Sequence, residues 1–302
     1  MLAYEKFERE GLFVSSSADT DNTDVFGQVA ANCENFAQLL NGLRLRLIAE
    51  HYARKHQARD QQLKVVSAGL ISASATLNSI STLFGGPSNR VREALILVRS
   101  FYEMGVNIAF LSGDLGERSK RAEQYAVMRA FKSQKVFRRV GMSSAVFDND
   151  RGLTRSMPDV KEALDAFKST GGSAHKTGYR ESRSEMLETI CDEIPIAGIF
   201  LVSVEQQIYE LTSELAHGSF FGFLEVYSGG DFGNVEVWKE NAELVHFATV
   251  LSSAAMAIAV RSAFGSCECS DEIALAGEDF VRGLAAMKED LDDSFTIKTH
   301  SE

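Results

Sequence analysis

The stretch VREALILVRSFYEMGVNIAFL, Val91 to Leu111, is apolar on almost every side and contains no proline. A helix advances about 100° per residue, and one with so little polar circumference is a helix that a fold buries. Burial on all sides needs other helices around it, so the expected fold is all-α, a bundle of long antiparallel helices. One narrow stripe breaks the apolar surface. Arg92, Arg99, Glu103 and Asn107 recur at steps of seven, four and four and fall within roughly 80° of one another.

A second helix has matching character. IPIAGIFLVSV, from Ile194, is apolar, and then Gln206, Tyr209, Ser213 and His217 follow at steps of three, four and four, flanked by Glu205, Glu210 and Glu214. Gly218 is a natural C-cap for it. A buried charge without a partner loses several kcal/mol, whereas an exposed Arg99–Glu103 pair yields only about 0.3–0.5 kcal/mol. The stripes are therefore expected to face each other, Arg99 and Glu103 against Tyr209, Ser213 and His217.

Outward from these two, helical patterning covers most of the 302 residues. The three prolines, Pro87, Pro158 and Pro195, each stand where a helix can begin. Helices are expected over 24–62, 65–84, 87–112, 117–140, 158–168, 184–193, 195–217, 239–264 and 270–291, with SGDLG (residues 112–116) as a turn. The stretch 141–183, rich in glycine, serine and threonine, reads as an irregular middle insertion over a groove. SFFGFLEVYSGGDFGNVEVW, Ser219 to Trp238, is the one place expected to form a hairpin. The domain reading is a mobile N-terminal arm over 1–23, a single helical domain over 24–292, and a flexible tail over 293–302.

Composition narrows function. Hydrophobic residues are 45% and charged residues 24%, as in ordinary soluble globular proteins, and the net charge is −11. That charge argues against a duplex-DNA coat or an anionic-membrane binder. Two basic clusters remain as local exceptions, Arg90, Arg92 and Arg99, and Lys132, Lys135, Arg138 and Arg139. Four cysteines, Cys33, Cys191, Cys267 and Cys269, form no zinc spacing or disulfide framework, and the start MLAYEKFERE is too charged for a secretory leader. A reducing cytoplasm is the expected location, with no metal or cofactor. LVHFATVLSSAAMAIAV, Leu244 to Val260, is short for a bilayer and contains His246, so it reads as a buried helix, not a span.

The segments RSFYEMGVN, Arg99 to Asn107, and YELTSELAHGS, Tyr209 to Ser219, resemble the two signatures of a widespread bacterial family of helical proteins, catalogued as a domain of unknown function. The resemblance covers about 91–260. Such proteins are similar in architecture to HEPN-type bundles, many of them ribonucleases of toxin and antiphage defence systems, commonly homodimers. HEPN ribonucleases carry an arginine shortly before the histidine on one helix. Here Glu210, Leu211 and Thr212 stand in the arginine positions, and only His217 matches.

The resemblance implies a metal-independent ribonuclease or toxin acting on RNA. His217 would be general acid or base, Arg99 would hold phosphate, and Glu103 would orient the imidazole. Tyr209, Ser213, Arg92 and Asn107 would position substrate. The alternative is a non-enzymatic sensor or assembly module that binds a partner protein or small ligand within a bacterial complex.

Overall fold

A computed structural model describes residues 24–54, 59–85, 90–114, 116–140, 143–148, 151–168, 181–216 and 235–290. The arm over 1–23, the tail over 293–302 and His217 lie outside them. Nine helices and one two-stranded hairpin occur among the described residues. In chain order they are α1 (Asp24–Arg54), α2 (Asp60–Phe84), α3 (Val91–Ser112), α4 (Glu117–Lys132), β1 (Lys135–Val140), β2 (Ser143–Asp148), α5 (Pro158–Ala166), α6 (Arg183–Glu193), α7 (Pro195–Ala216), α8 (Val235–Phe264) and α9 (Glu268–Asp290). The fold is an all-α bundle.

Helices α3 and α8 form its centre. α3 packs on α2, α6, α7 and α8, and α8 packs on α1, α3, α7 and α9. Val98, Phe101, Tyr102, Ile108 and Ala109 of α3 are buried, as are Leu251, Ala254, Ala255, Met256 and Ala257 of α8. Small residues set the spacing. A Cβ on Gly105 of α3 would lie 3.3 Å from Leu201 of α7 and 3.5 Å from Ser252 of α8, so the three helices cross where one has no side chain. Among the described residues three helices, α2, α3 and α8, are long and apolar enough to cross a membrane. The most apolar window of α8 is 78% buried by the rest of the fold, against 39% for α2.

Within α8, Ser252 and Ser253 are fully buried, and neither hydroxyl has a hydrogen-bond partner among the described residues. A buried hydroxyl without a partner keeps its desolvation cost, and alanine is also the better helix former. Ser253→Ala should therefore stabilise the protein by about 1 kcal/mol, read as a higher urea midpoint at unchanged slope.

The turn before α4 forms as expected. Asp114 accepts from the backbone N–H groups of Gly116 and Arg118, at 2.7 and 2.9 Å, and Gly116 takes φ +108°, a left-handed conformation suited to glycine. Arg118 then ties three helix ends together. It donates to the Phe110 carbonyl at 2.8 Å and forks onto Glu193 at 2.8 and 2.6 Å.

Two expectations change, and two others fall partly outside the described residues. The helix expected over 117–140 ends at Lys132, and Lys135–Val140 instead pairs antiparallel with Ser143–Asp148. Gln134 closes the base of this hairpin, donating to the Leu153 carbonyl at 3.0 Å and accepting from the Leu153 and Arg151 N–H groups at 2.9 and 3.1 Å. The first helix is described to Arg54, and α2 begins at Asp60, ahead of the expected start at residue 65. The hairpin expected over 219–238 lies mostly outside the described residues, and its last part, from Val235, is already α8. Of the middle stretch, α5 rests on α4, where Met128, Ala163 and Phe167 make a small second core.

Candidate functional site

Two of the polar residues expected to converge do so. α3 and α7 pack side by side, and Arg99 Nη2 donates to Tyr209 Oη at 3.0 Å across the seam. The same guanidinium donates through Nε to Glu103 Oε1 at 3.1 Å, one turn along its own helix. Its Cζ stands 4.8 Å from the centre of the Tyr209 ring. The Arg99 side chain is 17% exposed and that of Glu103 is 42% exposed, so the guanidinium sits mostly buried at the mouth of the seam while its carboxylate partner faces water.

The other expected residues stand apart from this contact. Ser213 is half-buried one turn beyond Tyr209, and Asn107 is half-buried one turn beyond Glu103; neither side chain makes a hydrogen bond among the described residues. Arg92 is half-buried nearly two turns before Arg99. Glu103 holds Arg99 through Oε1, and the imidazole it was expected to orient, that of His217, lies outside the described residues.

Periodicity missed a second guanidinium. Arg183, the first residue of α6, lies over the Tyr209 ring with its Cζ 3.4 Å from the centroid. Its Nε and Nη2 both reach Glu205 Oε1 at 2.8 Å. Burial works against this charge, but Glu205 and Tyr209 outweigh burial and hold the guanidinium above its ordinary range. Ser182 fixes the start of α6 through a capping box with Glu185, which sets where Arg183 leaves the helix. That capping box is the one signal in the sequence that places the residue. Behind them Tyr102 is fully buried and meets the Tyr209 ring edge-on at 6.4 Å. Burial first, and then the Glu205 carboxylate, push the Tyr102 phenol above its usual range.

A cleft of about 330 Å³ opens elsewhere, between α4 and Glu181, with Phe110 and Arg121 in its wall. Its cations are engaged: Arg118 by Glu193, and Lys120 by Glu162 at 3.3 Å. None of the expected site residues lines it.

The α3–α7 seam therefore joins the two segments whose spacing stood out in the sequence, and both lie within a stretch, residues 63–234, matched by the model for DUF5677, a family of unknown function. The chain belongs to the DUF5677 family. Its match starts well before residue 91 and stops short of residue 260, so the family region runs from α2 through α7 and leaves α8 and α9 outside. No curated protein and no solved structure matches the chain. The seam is thus a feature of the DUF5677 region itself, with α8 as the support against which α3 and α7 both pack.

Proposed function

We propose that this DUF5677 chain is a HEPN-like, metal-independent ribonuclease of a bacterial defence or toxin–antitoxin system, working as a homodimer in the cytoplasm. The observation that carries the reading is the Arg99–Tyr209 bond, which joins the Arg-Ser-x-x-Glu helix to the Tyr-x-x-x-Ser-x-x-x-His helix. Arg99 replaces from a neighbouring helix the arginine that HEPN ribonucleases carry beside their histidine. A guanidinium at the mouth of the seam suits a phosphodiester, because its planar fork matches two phosphate oxygens. His217 takes the proton from the attacking 2′-hydroxyl or gives one to the departing 5′-oxygen, since an imidazole titrates near neutrality. The four free cysteines suit a reducing compartment.

A second reading draws on the charge balance. Arg99 is paired with Glu103 and Arg183 with Glu205, a neutral arrangement that also suits a non-enzymatic sensor or assembly module. Incubating the purified chain with single-stranded RNA in excess EDTA separates the two. The nuclease reading expects cleavage undiminished by the chelator and growth arrest on expression. Intact RNA together with normal growth would leave the sensor reading in its place.

A further inference from the structure

Two guanidinium groups share the Tyr209 ring, and each keeps a donor in reserve. Arg99 is engaged through Nε and Nη2, and Arg183 through Nε and Nη2, so no hydrogen bond of normal geometry among the described residues uses Nη1 of either, although Arg183 also lies close enough to the Tyr209 hydroxyl to feel it. Both side chains retain a solvent-facing part, 17% and 33% exposed. Arg183 spends both of its engaged groups on one oxygen, Glu205 Oε1. The other oxygen, Oε2, is buried with no hydrogen bond. Tyr102 Oη is buried with no hydrogen bond as well, although it lies close enough to Glu205 for the carboxylate to act on it. The two groups are neighbours that do not close a bond of normal geometry. A donor and an acceptor left idle side by side in a buried place cost stability that a well-formed pair would recover.

We propose that Arg183 and Arg99 form a two-guanidinium subsite for one phosphoryl group, with Glu205 as the resident counter-ion of Arg183 and Tyr102 as the donor that receives Glu205 when the ligand arrives. Two guanidinium forks on adjacent helices can share the oxygens of a tetrahedral phosphoryl group, whereas a planar carboxylate fills only one fork. As the phosphoryl group takes Arg183, the Glu205 carboxylate rotates toward the Tyr102 hydroxyl, which gives it a hydrogen-bond donor in place of the guanidinium. Tyr209 is the shared platform: its ring supports both cations, and its oxygen already accepts from Arg99. The subsite rests on reading the seam as a phosphate-handling surface, but not on cleavage.

Inorganic phosphate, titrated into the full chain and followed by calorimetry in dilute chloride buffer, tests this without any reaction. Arg183→Gln should weaken phosphate binding about tenfold, and Tyr102→Phe should weaken it several-fold. Glu205→Gln should tighten it about fivefold, because the competing carboxylate is gone while the side chain keeps its shape. A gain in affinity cannot come from misfolding, so this variant protects the test if Arg183→Gln proves unstable. Absence of phosphate binding by the unaltered chain, or equal or weaker binding by Glu205→Gln, would overturn the subsite. Acetate in a parallel titration should bind more weakly than phosphate in every variant, and equal binding would count against a phosphoryl site. Phosphate binding without RNA cleavage would keep the subsite and remove only the nuclease.

Discussion

Gly198→Ala should destabilise the protein by about 3 kcal/mol and lower its melting temperature by about 5–10 °C. Gly198 lies in the first turn of α7, where its N–H donates to the Ile194 carbonyl at 3.0 Å and the chain has just left α6. A Cβ placed there would sit 2.6 Å from Cys191 Cα, 2.6 Å from its Sγ and 2.8 Å from its backbone N. A thiol can turn away; a backbone cannot. The whole of α6 would have to retreat, and Arg183 sits at its far end. The variant should therefore also loosen the Arg183–Tyr209 stack, seen as weaker phosphate binding in whatever fraction remains folded. Gly283→Ala serves as the control. A Cβ there meets nothing within contact distance, so helix propensity alone acts and stability should rise by about 0.5–1 kcal/mol. A Gly198→Ala melting temperature equal to that of the unaltered chain would mean that α6 and α7 do not meet at this glycine.

The two central helices were legible in the sequence because burial leaves a periodic trace. Arg99 and Glu103 stood out because everything around them on α3 is apolar, and Tyr209 stood out against an apolar run in the same way. Arg183 left no such trace. It opens a helix of 11 residues that follows a stretch rich in glycine, serine and threonine, where one arginine among Arg180, Glu181, Arg183 and Glu185 has no period to mark it. Its place depends on the angle at which α6 enters, and that is a tertiary property.

The hairpin was hidden for a different reason. Val136, Phe137 and Val140 are spaced by one, three and four residues, which satisfies a helical face as well as a strand, and the strongly helical Glu117–Lys132 precedes them. The signals that favoured strands were weaker: valine at 136, 140 and 146, and only Gly141 and Met142 between Val140 and its pairing partner Ser143. The stop at Lys132 then rests on Gln134, whose side chain holds Arg151 and Leu153 from the far side of the hairpin. Periodicity in sequence does not report that contact.

His217→Ala should reduce RNA cleavage by about 10²–10⁴-fold while leaving the melting temperature nearly unchanged, and Arg99→Ala should lose both activity and stability. The contrast follows from what each side chain does. Arg99 joins α3 to α7 through Tyr209, is held on its own helix by Glu103 and is mostly buried, so its removal leaves the Tyr209 oxygen without its donor and should cost about 1–2 kcal/mol, even if no substrate ever binds. His217 stands eight residues beyond Tyr209 and next to Gly218, well past the apolar run that ends at Val204, where the sequence gives it no packing duty. If His217→Ala instead costs more than about 2 kcal/mol with cleavage intact, the imidazole belongs to a packing network and cannot be the group that moves the proton. Arg99→Lys sharpens the comparison. It keeps the charge but loses the planar fork, so a residue that only neutralises Glu103 would tolerate it, whereas one that also grips a phosphodiester should lose most of its cleavage rate at little cost in melting temperature.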